Sequence, residues 1–229
     1  MIQFSKEIMD LAFQKMPKYN AISVLCSMGV DSVAAAHYCL NKIKNTSVSL
    51  RHFNHGLRKQ NDLMENSYFS MMVEGIFRGN CFLPFKLNKH GTDVSEDGLR
   101  QARLNFIENN IDCTILITAH HLDDATENYM MNILRGKEGF LPIPFITEVG
   151  SNLLVHPFLF TKKADFIQYA ERNDLMKFVV EDETNKITKG SRRNFIRNEI
   201  MPLLKREKMG IDTIVKKKIK ERLLLEMIK

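Results

Sequence analysis

Hydrophobic residues recur along this chain with two periods. Short apolar runs bounded by polar turn residues alternate with longer stretches in which apolar positions return every three or four residues. The runs at 22–26, 48–53, 82–87 and 114–118 predict strands that are apolar on both faces, the pattern of a covered parallel sheet. Helical spacing falls at 4–16, 31–43, 60–78, 96–110 and 122–135. This alternation predicts an α/β fold: an open, mostly parallel sheet with helices on both faces and right-handed crossovers. Beyond it, Pro142 and Pro144 mark a loop, 153–155 reads as a strand and 162–173 as a helix. A polar loop at 186–191 precedes a helix at 191–205 with a kink or stop at Pro202. Ile211, Ile214, Val215, Ile219 and Leu223 carry helical spacing through 211–228.

In open sheets of this kind ligands bind beyond the carboxyl ends of the strands. Three predicted strands end in polar sequence there: Ser27 onward, Asn54-His55 and Ala119-His120-His121. The first turn reads Ser27-Met28-Gly29-Val30-Asp31-Ser32 and leads into an alanine-rich helix. Small residues let a phosphate approach the backbone, and the helix start offers free N–H groups and the positive end of its dipole. Gly29 can supply a positive φ, and the hydroxyls of Ser27 and Ser32 can donate to phosphate oxygens. Asp31 repels an anion unless a Mg²⁺ ion bridges it to the phosphates. The alternative is a helix start capped by Asp and Ser. The Gly-Lys-Ser/Thr ending of a Walker loop is absent.

The second turn, His120-His121-Leu122-Asp123-Asp124-Ala125-Thr126-Glu127, enters a helix on which Asp124 and Glu127 share a face. It reads either as a site for a cation, an amine or a metal, or as an acidic first turn that favours the dipole, with Asp123 as a cap. The adjacent histidines diverge on a helix, which argues against zinc. Arg100 and Arg103 stand one turn apart and can clamp phosphate or form surface ion pairs. Ser191-Arg192-Arg193-Asn194-Phe195-Ile196-Arg197 suits a nucleic-acid surface.

Composition narrows the class. With 229 residues, 44% hydrophobic and 26% charged, the chain forms one domain, or one with an appendage. No run is apolar for the length of a membrane span, and Lys6, Glu7 and Asp10 interrupt any leader pattern, so a cytoplasmic location is expected. Cys26, Cys39, Cys81 and Cys113 form no Cys-x-x-Cys pair, which argues against zinc ribbons, iron–sulfur sites and disulfides. The net charge is +6, and residues 205–229 hold nine Lys or Arg against four Asp or Glu. That basic tail suits a polyanion or a solvated helix face.

In order, these pieces resemble the tRNA(Ile)-lysidine synthetases, members of the N-type ATP pyrophosphatases whose PP-loop reads Ser-Gly-Gly-x-Asp-Ser. The matching text is Ser27-Met28-Gly29-Val30-Asp31-Ser32, His52-Phe53-Asn54-His55-Gly56-Leu57-Arg58, Arg100-Gln101-Ala102-Arg103, and Ala119-His120-His121-Leu122-Asp123-Asp124 with Glu127. It continues with Leu134-Arg135-Gly136, Asp182-x-x-Asn185 and Arg193-Asn194-x-x-Arg197 before Pro202-Leu203-Leu204. The resemblance implies a PP-loop core at 1–145, a continuation of the catalytic domain at 146–204 and a basic helical tail at 205–229. It implies ATP with Mg²⁺ on Asp31, nucleotide contacts from Ser27 to Ser32 with Asn54 and His55, and catalytic roles for Asp31, Arg100, His120, Asp124 and Glu127. Free L-lysine would rest on Asp124 and Glu127, with His120 a candidate base.

A tRNA anticodon loop would meet Arg58, Arg103, Arg135, Arg192, Arg193, Asn194 and Arg197. The implied reaction activates C2 of the wobble cytidine with ATP and displaces AMP with the lysine amine. Relatives usually carry Gly where this chain has Met28, a side chain that either crowds the phosphates or points away and so bears on ATP affinity; many relatives continue into further tRNA-gripping domains, so tRNA selection is expected to be reduced, different or shared with a partner. Other readings are a tRNA thiolase of the same superfamily and a non-catalytic binding descendant. The oligomeric state stays open, a homodimer included.

Overall fold

The computed structural model describes residues 1–44, 46–54, 67–77, 85–86, 96–137, 143–180 and 192–228. Its sheet has five strands in the order β2-β1-β5-β7-β6. β1 (Ala21–Leu25) lies between β2 (Val48–Arg51) and β5 (Thr114–Ile117), parallel to both, and β7 (Asn152–Val155) continues the parallel set beyond β5. β6 (Ile146–Val149) closes the edge antiparallel to β7. β3 (Phe53–Asn54) and β4 (Phe85–Lys86) form a separate parallel pair.

Alternation along the central strands explains why both faces are covered. Ile22 and Val24 of β1, Ile115 and Ile117 of β5, and Leu153 and Val155 of β7 enter the main core. Leu116 and Leu154 point the other way, into a smaller cluster with Phe53, Ile107, Ile111 and Val149. α3 (Glu96–Asn110) covers that second face. The main face carries α1 (Lys6–Lys15), α2 (Val30–Lys42), α4 (Leu122–Ile133), α5 (Lys163–Arg172) and α8 (Ile211–Met227). Each fully buried aliphatic side chain contributes roughly 1.5–3 kcal/mol, so the two-sided strands anchor the fold. Asn152, wholly buried, ties the layers: its Oδ1 accepts from the Thr114 N–H at 3.0 Å, and its Nδ2 donates to the Ile111 carbonyl at 2.5 Å.

Several expectations need correction. The strand expected at 48–53 is interrupted at His52 and resumes as β3. Of the run at 82–87, β4 spans two residues and the rest lies outside the described residues. Of the helix expected at 60–78, residues 67–77 are described, and Val73–Phe77 among them are π-helical. β6 was not read from the sequence; a hairpin turn with Gly150 at φ 57° joins it to β7. A Cβ on Gly150 would come within 3.0 Å of the Glu108 side chain. The helix expected at 191–205 divides into α6 (Arg192–Phe195), a π-helical segment (Ile196–Ile200) and α7 (Met201–Arg206), with Pro202 in the first turn of α7, where a missing N–H costs no hydrogen bond. Val215, Ile219 and Leu223 of α8 belong to the main core, so the basic tail is packed as an integral helix. Among the described residues no helix is long and apolar enough to cross a membrane.

Candidate active site

Two strand-to-helix turns meet at the carboxyl ends of the neighbouring strands β1 and β5. In the first, residues 26–29 connect β1 to α2, and Gly29 is the N-cap with no side chain to close the helix start. The first-turn N–H groups therefore remain available to an anion. A Cβ on Gly29 would meet only Ser27 Oγ, at an ordinary 3.7 Å, so packing alone does not demand glycine there. Its φ of −71° is unremarkable; the positive φ expected of Gly29 belongs instead to Met28, at 64°. That twist turns the Met28 side chain fully into the core, 3.6 Å from Cys26 Sγ, and away from the turn's open side. The Met28 carbonyl accepts from the Val180 N–H at 2.9 Å, which pins the turn from outside. The Ser32 hydroxyl is committed to the turn as well: it donates to the Gly29 carbonyl at 2.8 Å and accepts from the Ser27 N–H at 3.1 Å. It is thus a brace, contrary to the expected phosphate donor, whereas Ser27 is exposed.

The second turn ends in a sealed helix start. His121 is the N-cap of α4: its Nδ1 accepts from the Asp124 N–H, and Asp124 Oδ2 accepts from the His121 N–H at 3.1 Å. The expected cap, Asp123, is engaged elsewhere, accepting from the Lys163 N–H at 2.8 Å and from Lys205 Nζ at 2.6 Å. His121 Nε2 reaches Asp31 Oδ2 at 3.5 Å and so joins the two turns. Burial opposes charge on His121, but Asp124, Asp31 and Asp123 more than offset it and raise its pKa. The other Asp31 oxygen, Oδ1, is buried without a hydrogen-bond partner among the described residues. An ionised oxygen in that state fits a cation. Among the described residues no three His, Cys, Asp or Glu side chains converge as a metal cage, so a Mg²⁺ ion there would complete its shell with phosphate and water oxygens.

The acidic face of α4 is met by a basic segment from far along the chain. Arg197 grips Glu127 with two bonds of 2.7 Å, from Nε to Oε1 and from Nη2 to Oε2, and Arg193 Nε donates to Oε2 at 3.4 Å. Glu127 is 4% exposed. Asp124 Oδ1 has looser neighbours, Arg197 at 3.5 Å and Arg193 at 3.7 Å. Burial works against the Asp124 charge, yet His121, His120 and Arg193 hold its pKa down at about 2. The Glu127 hydrogen bonds raise the Arg197 pKa against the opposing effect of burial. Arg193 and Arg197, expected on the tRNA surface, thus sit on the two carboxylates expected to bind lysine. Sequence reading missed this pairing because 66 to 73 residues separate the partners.

Beside this cluster, Thr118 Oγ1 lies 2.9 Å from His120 Nδ1 and 2.5 Å from His156 Nδ1, and the two imidazole nitrogens are 3.1 Å apart. Burial, only partly countered by Asp124, lowers the His120 pKa to about 4, so the ring is neutral near pH 7 and a weak base; the expected base role is not favoured. His156 was not singled out in the sequence; its pKa is also lowered, by burial, by His120 and then by Arg103 and Arg100. Arg103 is half-buried, with its Nε lacking a hydrogen-bond partner among the described residues, while Arg100 is exposed. Arg103, expected to face tRNA, is therefore the arginine nearer in effect to the histidines. Arg135 is exposed past the opposite end of α4, roughly 18 Å along the helix from its start. Arg192 is exposed and Asn194 half-buried on α6. Asn54 lies in β3, and His55, Arg58, Asp182 and Asn185 lie outside the described residues.

Comparison with known proteins follows the same lines. Curated relatives include the tRNA(Ile)-lysidine synthase of Haemophilus ducreyi, 31% identical over 199 residues, covering 83% of this chain and 44% of that protein. That of Coxiella burnetii is 30% identical over 190 residues, covering 79% and 40%. The chain thus spans under half the length of these relatives. Among solved structures, the U34-tRNA thiolase of Methanococcus maripaludis aligns with a TM-score of 0.67 at 16% identity, over 95% of this chain and 76% of that one. The NMN synthetase of Francisella tularensis aligns at 0.53 and 12% identity, over 96% and 91%. At such identities these likenesses concern the fold alone. The profile of the PP-loop domain family matches residues 2–204, so the chain belongs to the PP-loop domain family.

Proposed function

We propose that this chain forms lysidine on tRNA(Ile): ATP activates C2 of the wobble cytidine of a CAU anticodon, and the ε-amine of free lysine displaces AMP. The observation that carries the reading is the Asp31–His121 contact, which sets an open, phosphate-ready helix start against an acidic one. The names of the curated relatives support the substrates.

In this reading the triphosphate lies over the N–H groups of residues 29–32, with Ser27 at the rim. Asp31 would hold Mg²⁺ through the oxygen that has no partner among the described residues, and the ion would neutralise phosphate charge and polarise the α-phosphorus. Arg103 adds positive charge from the α3 side, with Arg100 further out. The cytidine C2 oxygen bonds to the α-phosphorus as the bond to pyrophosphate breaks. The lysine nitrogen then bonds to C2 as the C2–O bond to AMP breaks, and the amine protons pass to solvent. Asp124, whose Oδ1 has loose contacts, takes the lysine ammonium before attack. Glu127 positions Arg197, which steadies the acidic face, because Arg197 and Arg193 already occupy both of its oxygens. Arg58, Arg135, Arg192 and Asn194 remain proposed tRNA contacts, along with the basic side of α8.

Two observations weigh against the rivals. Thiolation needs a reactive thiolate in the crevice; among the described residues Cys26 and Cys39 are buried, with pKa values raised by burial, and Cys113 precedes β5 at the other end of the strand, while Cys81 lies outside the described residues. A Met28 side chain crowding the phosphates would favour loss of catalysis, but that side chain is in the core and leaves the phosphate side open. Incubation with ATP, Mg²⁺, labelled lysine and a CAU-anticodon tRNA tests the reading. Lysine incorporated in step with pyrophosphate release supports it; pyrophosphate release without incorporation refutes it.

A further inference from the structure

The three-atom contact of Thr118 Oγ1, His120 Nδ1 and His156 Nδ1 has its own proton arithmetic. All three separations, 2.9, 2.5 and 3.1 Å, are within hydrogen-bond reach. The hydroxyl brings one proton, and each neutral imidazole brings one or none to its Nδ1. With no Nδ1 proton, two lone pairs face each other and the hydroxyl can satisfy only one. With two, both N–H groups crowd one oxygen and the hydroxyl proton has no acceptor in the trio. Only a single Nδ1 proton closes the set: one ring donates to Thr118 Oγ1, and the hydroxyl donates to the other ring. The two histidines must therefore be opposite tautomers.

Surrounding charges decide which ring takes which form. Asp124 is the largest single charge effect on His120, ahead of Arg103, Arg193 and His121 each taken alone, and favours a proton on the free ring edge. At His156, Arg103 and Arg100 outweigh Asp124 and favour a lone pair on that ring's outer edge. Both influences put the Nδ1 proton on His156 and leave Thr118 to donate to His120. His120 then carries its proton on Nε2, which has no hydrogen-bond partner among the described residues.

We propose that His156, acting through Thr118, is a positioning residue that locks His120 as a hydrogen-bond donor to a substrate carbonyl or carboxylate oxygen bound beside Asp124. The catalytic part of this inference rests on the lysidine-forming reading; the tautomer lock does not. It also replaces the base role that the sequence suggested for His120 with a donor role.

Nitrogen-15 NMR of the histidine-labelled protein at pH 7 tests the lock without any substrate, because protonated and unprotonated ring nitrogens resonate far apart. The expected spectrum shows His120 protonated at Nε2 and His156 at Nδ1; the same tautomer in both rings, or the reverse assignment, overturns the proposal. In the lysine-incorporation assay, H156L is expected to lower kcat about tenfold, the lower end of what loss of an orienting partner costs at metal-ligating histidines, while H156N, which keeps a side-chain N–H near the Nδ1 position, recovers to within about threefold. Equal losses in both variants, with melting temperatures matching the wild type, reject the positioning role. If H156L does not fold, the wild-type spectrum and H156N still decide. If the spectrum is as expected but the wild type forms no lysidine, the lock stands and the reaction assignment fails.

Discussion

The two helix starts that share the crevice are built from the same strand-turn-helix plan and finished in opposite ways. α2 begins at a glycine with no capping side chain, so its N–H groups stay open. α4 begins at a histidine that caps it, with Asp123, Asp124 and Glu127 set on its opening turns. A helix start has intrinsic positive potential; whether it attracts an anion or carries a cation-binding face depends on what occupies its first turn. In this molecule the contrast is contained in a single contact, His121 to Asp31, across which phosphate and ammonium chemistry can face each other.

Breaking the open side should have the largest effect. Asp31→Ala removes the carboxylate on the phosphate side of that contact, and pyrophosphate release is expected to fall about 1,000-fold, measured with saturating ATP. Next is the arginine lock on the closed side. Glu127→Ala leaves Arg197 without its two-bond partner in a largely buried position, and urea denaturation should show a loss of about 3 kcal/mol. Asp124→Asn sharpens the contrast between the sides: the lysine KM should rise about 30-fold, a loss of about 2 kcal/mol, with ATP affinity changed less than about threefold. An equal loss for both ligands would mean that the two turns do not divide the substrates as proposed.

Met28→Gly probes the geometry of the open turn. Glycine relieves the left-handed backbone at φ 64°, worth about 1 kcal/mol, but empties a core position whose loss costs about 2–3. Thermal denaturation should therefore show a net destabilisation of about 1–2 kcal/mol while ATP affinity is unchanged. The pH dependence probes the closed side without a substitution at its carboxylates. The His120 pKa lies below its ordinary value, at about 4, so the unfolded chain binds the extra proton first. The corresponding stability is present above about pH 6.5 and is lost as pH falls toward 4. Asp124 acts in the same direction between pH 4 and 2. Urea midpoints across pH 4–7 should decline toward acid in the wild type and decline less in His120→Gln.

The sequence revealed the open turn better than the closed one, for physical reasons. A buried two-sided strand followed by small residues is a local pattern, so β1 and its turn were legible in 22–32. β5 and the acidic start of α4 were legible for the same reason. The orientation of Met28, toward the phosphates or away from them, was open in the sequence, since a left-handed φ at a non-glycine residue leaves no sequence signature. The cap of α4 was assigned to Asp123 because histidine is an uncommon N-cap. The roles of Arg193, Arg197, Lys205 and His156 depend on contacts over tens of residues, which no periodicity encodes. β6, an edge strand with exposed Glu148, lacks the continuous apolar run that marked its neighbours.

The most direct measurement is a crystal structure of the protein with a non-hydrolysable ATP analogue, Mg²⁺ and L-lysine. The triphosphate is expected over the N–H groups of residues 29–32, with the metal on Asp31 Oδ1 and the lysine ammonium on Asp124, all within one crevice. Phosphates bound elsewhere, or lysine found away from α4 with Asp124 Oδ1 still beside Arg193 and Arg197, would contradict the division of labour between the two helix starts.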